Sequence, residues 1–287
     1  MTHWKLTLAY DGTPFHGWQV QPGLATVQGL LADAIRRTVG ESVLPQGSGR
    51  TDAGVHALGQ VASFSLAAPI PAANFQRALN RCLPPSIRIL STEVVPPGFH
   101  ARHSALAKTY EYRIYPLCGP SLEPRISGVS NLEPDLICPP TLAPYVWPCP
   151  WPLSLEALNQ AARHILGIHD FTTFAAVDPD LSTRVDPEPA PAPIRTISHS
   201  VWHGADGLLI YRVSANGFLH HMVRNLVGTF VQAGARRLLP DSIPSLLAER
   251  NRAAAGPTAP PQGLFLVNVE YPEPGEAAEN WDEGSMG

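Results

Sequence analysis

The residues best suited to chemistry lie in the run Gly47-Ser48-Gly49-Arg50-Thr51-Asp52-Ala53-Gly54-Val55-His56-Ala57, where Asp52 and Arg50 stand two positions apart. A carboxylate can attack an electrophilic carbon or take a proton, and a nearby guanidinium would keep it charged and fix the direction of its oxygens. Gly47, Gly49 and Gly54 let the backbone take positive φ and let another molecule approach it closely. The alternation in Gln60–Leu66 predicts a strand directly after, which would hold Asp52 beside a sheet edge. An ordinary Asx turn accounts for the same aspartate equally well, and on these residues alone both readings stand.

Other candidates are weaker. The four cysteines, Cys82, Cys118, Cys138 and Cys149, form no C-x-x-C pair and have no histidine at zinc-ligand spacing, so they read as free thiols of a reducing compartment. His220 and His221 fall in a stretch that reads as helix. Neighbours on a helix point about 100° apart and share an ion poorly. In the same helix Arg224 lies one turn from His220, beside an apolar stripe, where an arginine commonly extends its head to water.

The elements that would position these residues can be read in order. Residues 4–10 alternate as a first strand, and Asp11-Gly12-Thr13 turns the chain out of it. Phe15 and Trp18 on the following loop suit core anchoring. A helix starts at Val27, with Thr26 as its cap and Gly40 as its terminator. A second helix covers about 73–83, and strands follow at 87–95 and 108–115, the latter placing Tyr110, Tyr112 and Ile114 on one face. The proline-rich stretch 118–152 has no sustained period and reads as a loop or insertion, as does 178–193. Between them Ser154 caps a helix with the stripe Leu155, Leu158, Ala162, Ile165 and Leu166. Strands at 194–203 and 207–215 share a turn at Gly204–Gly207. Asn216-Gly217 opens a helix from Phe218 to about Arg236, striped by Leu219, Val223, Leu226, Val227 and Phe230. A short helix near 242–250 and a strand at 264–271 close the fold. The pattern is α+β in two comparable halves, with an antiparallel-leaning sheet and helices on one side, and it leaves open whether two sheets fuse. The halves divide as an N-terminal lobe at 1–117, an insertion at 118–152, a C-terminal lobe at 153–271 and an acidic tail at 272–287.

With 287 residues and 44% hydrophobic content the chain can bury a large core. No apolar run reaches the roughly 18 residues of a membrane span, and the first residues lack a signal-peptide layout, which points to a cytoplasmic protein. The net charge of −4 is set by the tail: without Glu273, Glu276, Glu279, Asp282 and Glu283, 20 bases face 19 acids. A nucleic-acid partner would therefore need a local basic face, which Arg36-Arg37, Arg236-Arg237, Arg77, Arg81, Arg88 and Arg102 could supply.

Four strings together resemble the tRNA pseudouridine synthase A family: Tyr10-Asp-Gly-Thr-x-Phe-x-Gly-Trp-Gln19, Gly49-Arg-Thr-Asp-Ala-Gly-Val-His56, Phe99-His-Ala-Arg102 with Lys108-Thr-Tyr110, and Phe218-Leu-His-His-Met-Val-Arg-Asn-Leu-Val-Gly228. The resemblance runs from about residue 4 to 271. It implies two similar α+β lobes around a continuous, mainly antiparallel sheet with a central active-site cleft, and a homodimer acting on tRNA. It implies isomerisation of uridine to pseudouridine at positions 38–40 of the anticodon stem-loop. By the same resemblance Asp52 is the catalytic nucleophile, Tyr110 contacts the target uridine, Arg224 pairs with the carboxylate, and Arg50 acts on the flipped nucleotide or the space it leaves. The proline-rich segments look longer than the family usually carries. The reaction exchanges one glycosidic bond for another with no hydrolysis or redox step, so neither metal nor organic cofactor is expected. Two rivals remain: a tRNA-binding or chaperone module that has kept the scaffold and lost the chemistry, and a nucleoside glycosidase, which would want a second carboxylate beside Asp52.

Overall fold

The computed structural model describes residues 1–117, 137–177 and 192–273. Most of the predicted tail and of the two proline-rich segments lies outside these residues. The chain is α+β, its strands pair mainly antiparallel, and among the described residues no helix is long and apolar enough to cross a membrane. It divides into two compact units, one formed by residues 1–109 with the C-terminal strand from Phe265, the other by Tyr110–Leu264.

In the first unit strands β1 (Thr2–Tyr10), β3 (His56–Leu66), β4 (Ile87–Val95) and β10 (Leu264–Glu270) lie in the order β4-β1-β3-β10, and the two-residue strand β2 (Gln46–Gly47) pairs with β3. β1 runs antiparallel to both neighbours, while β10 joins β3 in parallel with Phe265 opposite His56. The alternation read in β1 is a burial pattern: Trp4, Leu6 and Leu8 are sealed in the core. There Trp4 meets Phe75 of helix α2 (Ala72–Cys82) edge-to-face at 5.1 Å. Each such large apolar side chain contributes about 1.5–3 kcal/mol by leaving water. Helix α1 (Val27–Val39) begins and ends where its sequence says, with the Thr26 side chain accepting the Gly29 N–H and Gly40 at φ 78° donating to the Arg36 carbonyl. Phe15 and Trp18 are buried, as core anchors should be.

Two expectations need correction. β3 starts at His56, four residues earlier than the alternation suggested, and it lies between β1 and β10, so the Asp52 loop leads into an interior strand and is not beside an edge strand. β2 was invisible because two residues carry no period.

The second unit orders its strands β5-β9-β8-β7, that is β5 (Ala107–Pro116), β9 (Leu208–Ala215), β8 (Ile194–Ala205) and β7 (Gly167–Asp170), with β6 (Trp147–Cys149) parallel on β5. β8 and β9 form a hairpin on Asp206 and Gly207, whose φ values of 51° and 75° suit the twist of the flanking strands. Helices α3 (Leu155–Arg163), α4 (Met222–Gly234) and α5 (Ile243–Glu249) belong to this unit, α3 capped by Ser154 through the Ala157 N–H. Its core stacks Trp202 on Tyr211 at 4.9 Å and sets Tyr211 edge-to-face on Phe230 of α4 at 5.5 Å. Within the described part of the first proline-rich segment, a single helical turn at Ala143–Tyr145 and strand β6 replace the expected loop.

Helix α4 begins four residues later than Phe218. The stretch Phe218–His221 is not helical: the chain turns at Leu219–Met222, closed by Met222 N–H to the Leu219 carbonyl, and His221 takes a left-handed φ of 57°. Asn216 is busy elsewhere, accepting the Thr196 N–H through its side chain, so it caps nothing.

Candidate active site

Asp52 sits half-buried in the loop between β2 and β3, and Arg50, two residues earlier, is exposed. The loop turns at Asp52–Val55, where the Val55 N–H donates to the Asp52 carbonyl at 3.1 Å and Gly54 takes φ 78°. Side chains and backbone from distant positions brace it from beneath. Buried Gln60 on β3 joins Ser48 Oγ at 2.7 Å and donates to the Gly49 carbonyl at 2.9 Å. Tyr10, at the end of β1, meets Thr51 Oγ1 at 2.8 Å, and burial pushes its phenol up to about 12. The Lys108 ammonium donates to the Ser48 carbonyl.

The Phe15–Trp18 loop closes against the same turn. Trp18 N–H donates to the Thr51 carbonyl at 3.0 Å and Gly54 N–H to the Phe15 carbonyl at 3.4 Å. Two glycines make this approach possible, since a Cβ on Gly12 would lie 2.1 Å from the Val55 oxygen and one on Gly17 would lie 2.6 Å from the Thr51 oxygen. His56, just past the turn, is buried, stacks on Phe265 at 4.6 Å and accepts the Gly12 N–H at Nδ1, with Asp11 Oδ1 3.3 Å away. The strings around Tyr10 and Asp52 are thus two sides of one hydrogen-bonded platform. The backbone that carries Asp52 has little freedom to move.

Tyr110 and Arg224 belong to the second unit. Tyr110, on β5, is buried with its ring edge-to-face on Phe218 at 5.0 Å. Arg224 is half-buried on the first turn of α4, and its Nε donates to the Ala259 carbonyl at 2.8 Å while the Ala259 N–H returns to the Arg224 carbonyl at 3.0 Å. The loop that supplies Ala259 is clamped to α4 by Asn225, which is fully buried. Asn225 Oδ1 accepts from Arg252 Nη2 at 2.9 Å and Thr258 Oγ1 at 2.7 Å, and its amide donates to the Phe174 carbonyl. Gly228, one turn on, leaves the space where Pro257 O would lie only 1.7 Å from a Cβ. Asn225, Gly228 and Arg252 fix the position of Arg224. Asn225 and Gly228 were legible as letters of a motif, but not as the clamp they form.

His220 and His221 lie outside the helix, so the argument that helical neighbours diverge does not hold for them. Their rings are 3.9 Å apart, and His220 Nδ1 is engaged with the Val177 carbonyl at 3.1 Å.

The family model described as tRNA pseudouridine synthase matches residues 7–104 and 161–272. A tRNA pseudouridine synthase A of Solibacter usitatus is 47% identical over 268 residues, covering 93% of this chain and 98% of the relative. Its namesake in Moorella thermoacetica is 44% identical over 273 residues, covering 93% and 98%. One in Rhodopseudomonas palustris is 41% identical over 273 residues, covering 94% and 100%. Matches of this extent take in both the braced Asp52 loop and the clamped Arg224 helix, and the chain belongs to the tRNA pseudouridine synthase family.

Proposed function

We propose that this protein isomerises uridine to pseudouridine in tRNA, at positions 38–40 of the anticodon stem-loop, with Asp52 as nucleophile on a nucleotide turned out of the stack. The observation that carries this reading is the half-buried carboxylate on a turn braced by Tyr10, Gln60 and Thr51, inside a segment matched by the family model.

The reaction breaks N1–C1′ and forms C1′–C5 on the same base. The hydrogen at C5 leaves as a proton, N1 gains one, and no electrons are exchanged. A carboxylate serves either opening step, attack on C1′ or addition to the base, because it can bond and then leave. Extruding the uridine costs roughly a few kcal/mol, and stacking on an aromatic returns about 1–3 kcal/mol. Tyr110, its ring fixed against Phe218, is suited to that role. Arg50 would act on the flipped nucleotide or the gap it leaves, and Arg224 would hold the carboxylate charged and oriented. The enzyme would work in the cytoplasm as a homodimer, which light scattering of the purified protein tests directly.

The deciding experiment is Asp52→Asn, assayed by tritium release from tRNA labelled at uridine C5. The expected outcome is no release with tRNA affinity within about twofold of wild type. Substantial turnover by that variant would remove Asp52 from its role. A wild-type protein that binds tRNA yet releases no tritium would instead be the scaffold without chemistry.

A further inference from the structure

The turn between β4 and β5 is built far more tightly than a connection needs. Phe99 N–H closes on the Pro96 carbonyl at 3.0 Å and Ser104 N–H on the His100 carbonyl at 2.9 Å. Ser104 Oγ accepts the His100 N–H at 3.0 Å, and His100 Nδ1 accepts the N–H groups of Arg102 and His103 at 3.1 and 3.4 Å. The turn is also bolted to the sheet. Ser63 Oγ on β3 takes the Ala101 N–H at 2.9 Å, the Tyr271 hydroxyl donates to the Ala101 carbonyl at 2.7 Å, and Phe99 packs on the Tyr271 ring at 5.0 Å.

Ala101 is fully buried, whereas the two residues after it are exposed. Among the described residues neither the Arg102 nor the His103 side chain meets a carboxylate. Lys5, close by over the Tyr271 ring at 5.3 Å, already has Glu93 at 3.3 Å. Ordering a surface loop costs about 1–2 kcal/mol per residue in backbone entropy alone. Here the order fixes the backbone from which the Arg102 and His103 side chains reach solvent, and the His103 ring lies 4.4 Å from that of His100. Along β3, Ser63 is seven residues past His56, so this tip lies roughly 20 Å from the Asp52 turn.

We infer that Arg102, assisted by His103, is a pre-set phosphate contact that grips the tRNA backbone several nucleotides away from the reacting uridine. The inference rests on the functional reading given above. A cation carried on an already ordered backbone costs no further backbone entropy on binding, and one phosphate neutralised releases its share of counterions, so the contact adds affinity with a salt-dependent signature. It makes no direct contribution at the reacting atoms.

The test is the Kd for a full-length tRNA transcript across a KCl series, with kcat at saturating tRNA. For Arg102→Gln we expect the Kd near 0.1 M salt to rise about three- to tenfold and the slope of log Kd against log[KCl] to fall by about 0.7–0.9, with kcat within about twofold. Arg102→Lys should keep the slope. An unchanged slope in Arg102→Gln, or an equal loss of slope in Arg102→Lys, overturns the inference, since a merely structural arginine would not move that quantity in proportion to charge. A wild-type protein that fails to bind or modify tRNA would remove the functional reading itself; a working wild type with an indifferent Arg102→Gln removes only this contact.

Discussion

Replacing Thr51 with Val deletes one hydroxyl at nearly constant volume, one residue before the proposed nucleophile. That hydroxyl lies 2.8 Å from the Tyr10 phenol, and the two residues are only 7% and 4% exposed. After the change the phenol keeps one distant neighbour, the Gln60 amide at 3.5 Å, which is a donor and cannot accept the phenolic proton. A buried hydroxyl left in that state costs about 1–3 kcal/mol, and for a chain of this size each kcal/mol lowers the melting temperature by about 2–4 °C. Tyr10→Phe strands the threonine hydroxyl and should cost a comparable amount. The double variant removes donor and acceptor together, and apolar replacement of both partners can be nearly neutral. Thermal unfolding of the four proteins should therefore give a double variant less damaged than the sum of the singles by about 1 kcal/mol or more. The Thr51 carbonyl also receives the Trp18 N–H, so a slack Thr51 lets the next residue drift, and misplacement by about 1 Å can cost 10²-fold in rate. Tritium release by Thr51→Val should fall at least about tenfold while tRNA affinity holds. Additive stabilities, or full activity in Thr51→Val, would refute the bracing argument.

Gly228→Ala would set a Cβ 1.7 Å from the Pro257 carbonyl, forcing backbone apart at a cost of about 1–3 kcal/mol or more, read as a lowered urea midpoint. Arg252→Gln should reduce kcat by loosening the loop that holds Arg224, and it should reduce it much less in an Arg224→Ala background, where an effect of the same size in both would show that Arg252 acts independently of Arg224. His100 is held below the ordinary histidine range, first by burial and then by the charges of His103 and Arg102. The unfolded chain therefore takes up that proton first as pH drops below about 6.5, so the stability His100 contributes is complete above that pH and is lost on acidification, a loss that His100→Gln should flatten in melting temperatures recorded from pH 7.5 to 5.5.

Local signals were readable wherever local chemistry decides the structure. Thr26 and Gly40 bound α1 because a side-chain acceptor and a left-handed glycine act within a few residues of themselves. Asp206-Gly207 sets the β8–β9 turn for the same reason. The start of α4 was misread because the apolar period continues back through Leu219, whereas the backbone there is held by tertiary bonds. Ala176 N–H takes the His220 carbonyl and His220 Nδ1 takes the Val177 carbonyl, more than 40 positions away, and no periodicity reports on that. Strands β2, β6 and β7 have two to four residues each and exist only through their partners.

The candidate site divides along the same line. Asp52 and Arg50 could be singled out together from sequence because one loop carries both. What holds that loop could not, since Tyr10, Gly12 and Gly17 precede it by some 35 to 40 positions and carry no charge or metal-ligating group to draw notice. Their geometry changes what the motif letters mean. Gly12 and Gly17 are required by the approach of the Val55 and Thr51 carbonyls, Gly228 by that of Pro257, and Asn225 by the carbonyl and hydroxyl groups it ties together. Most positions in the four strings thus do mechanical work, leaving few side chains for the chemistry. It follows that variants at the mechanical positions should lose rate through stability and placement together. A change at Asp52 should lose rate alone, and measuring both quantities on each variant sorts the letters into these two kinds.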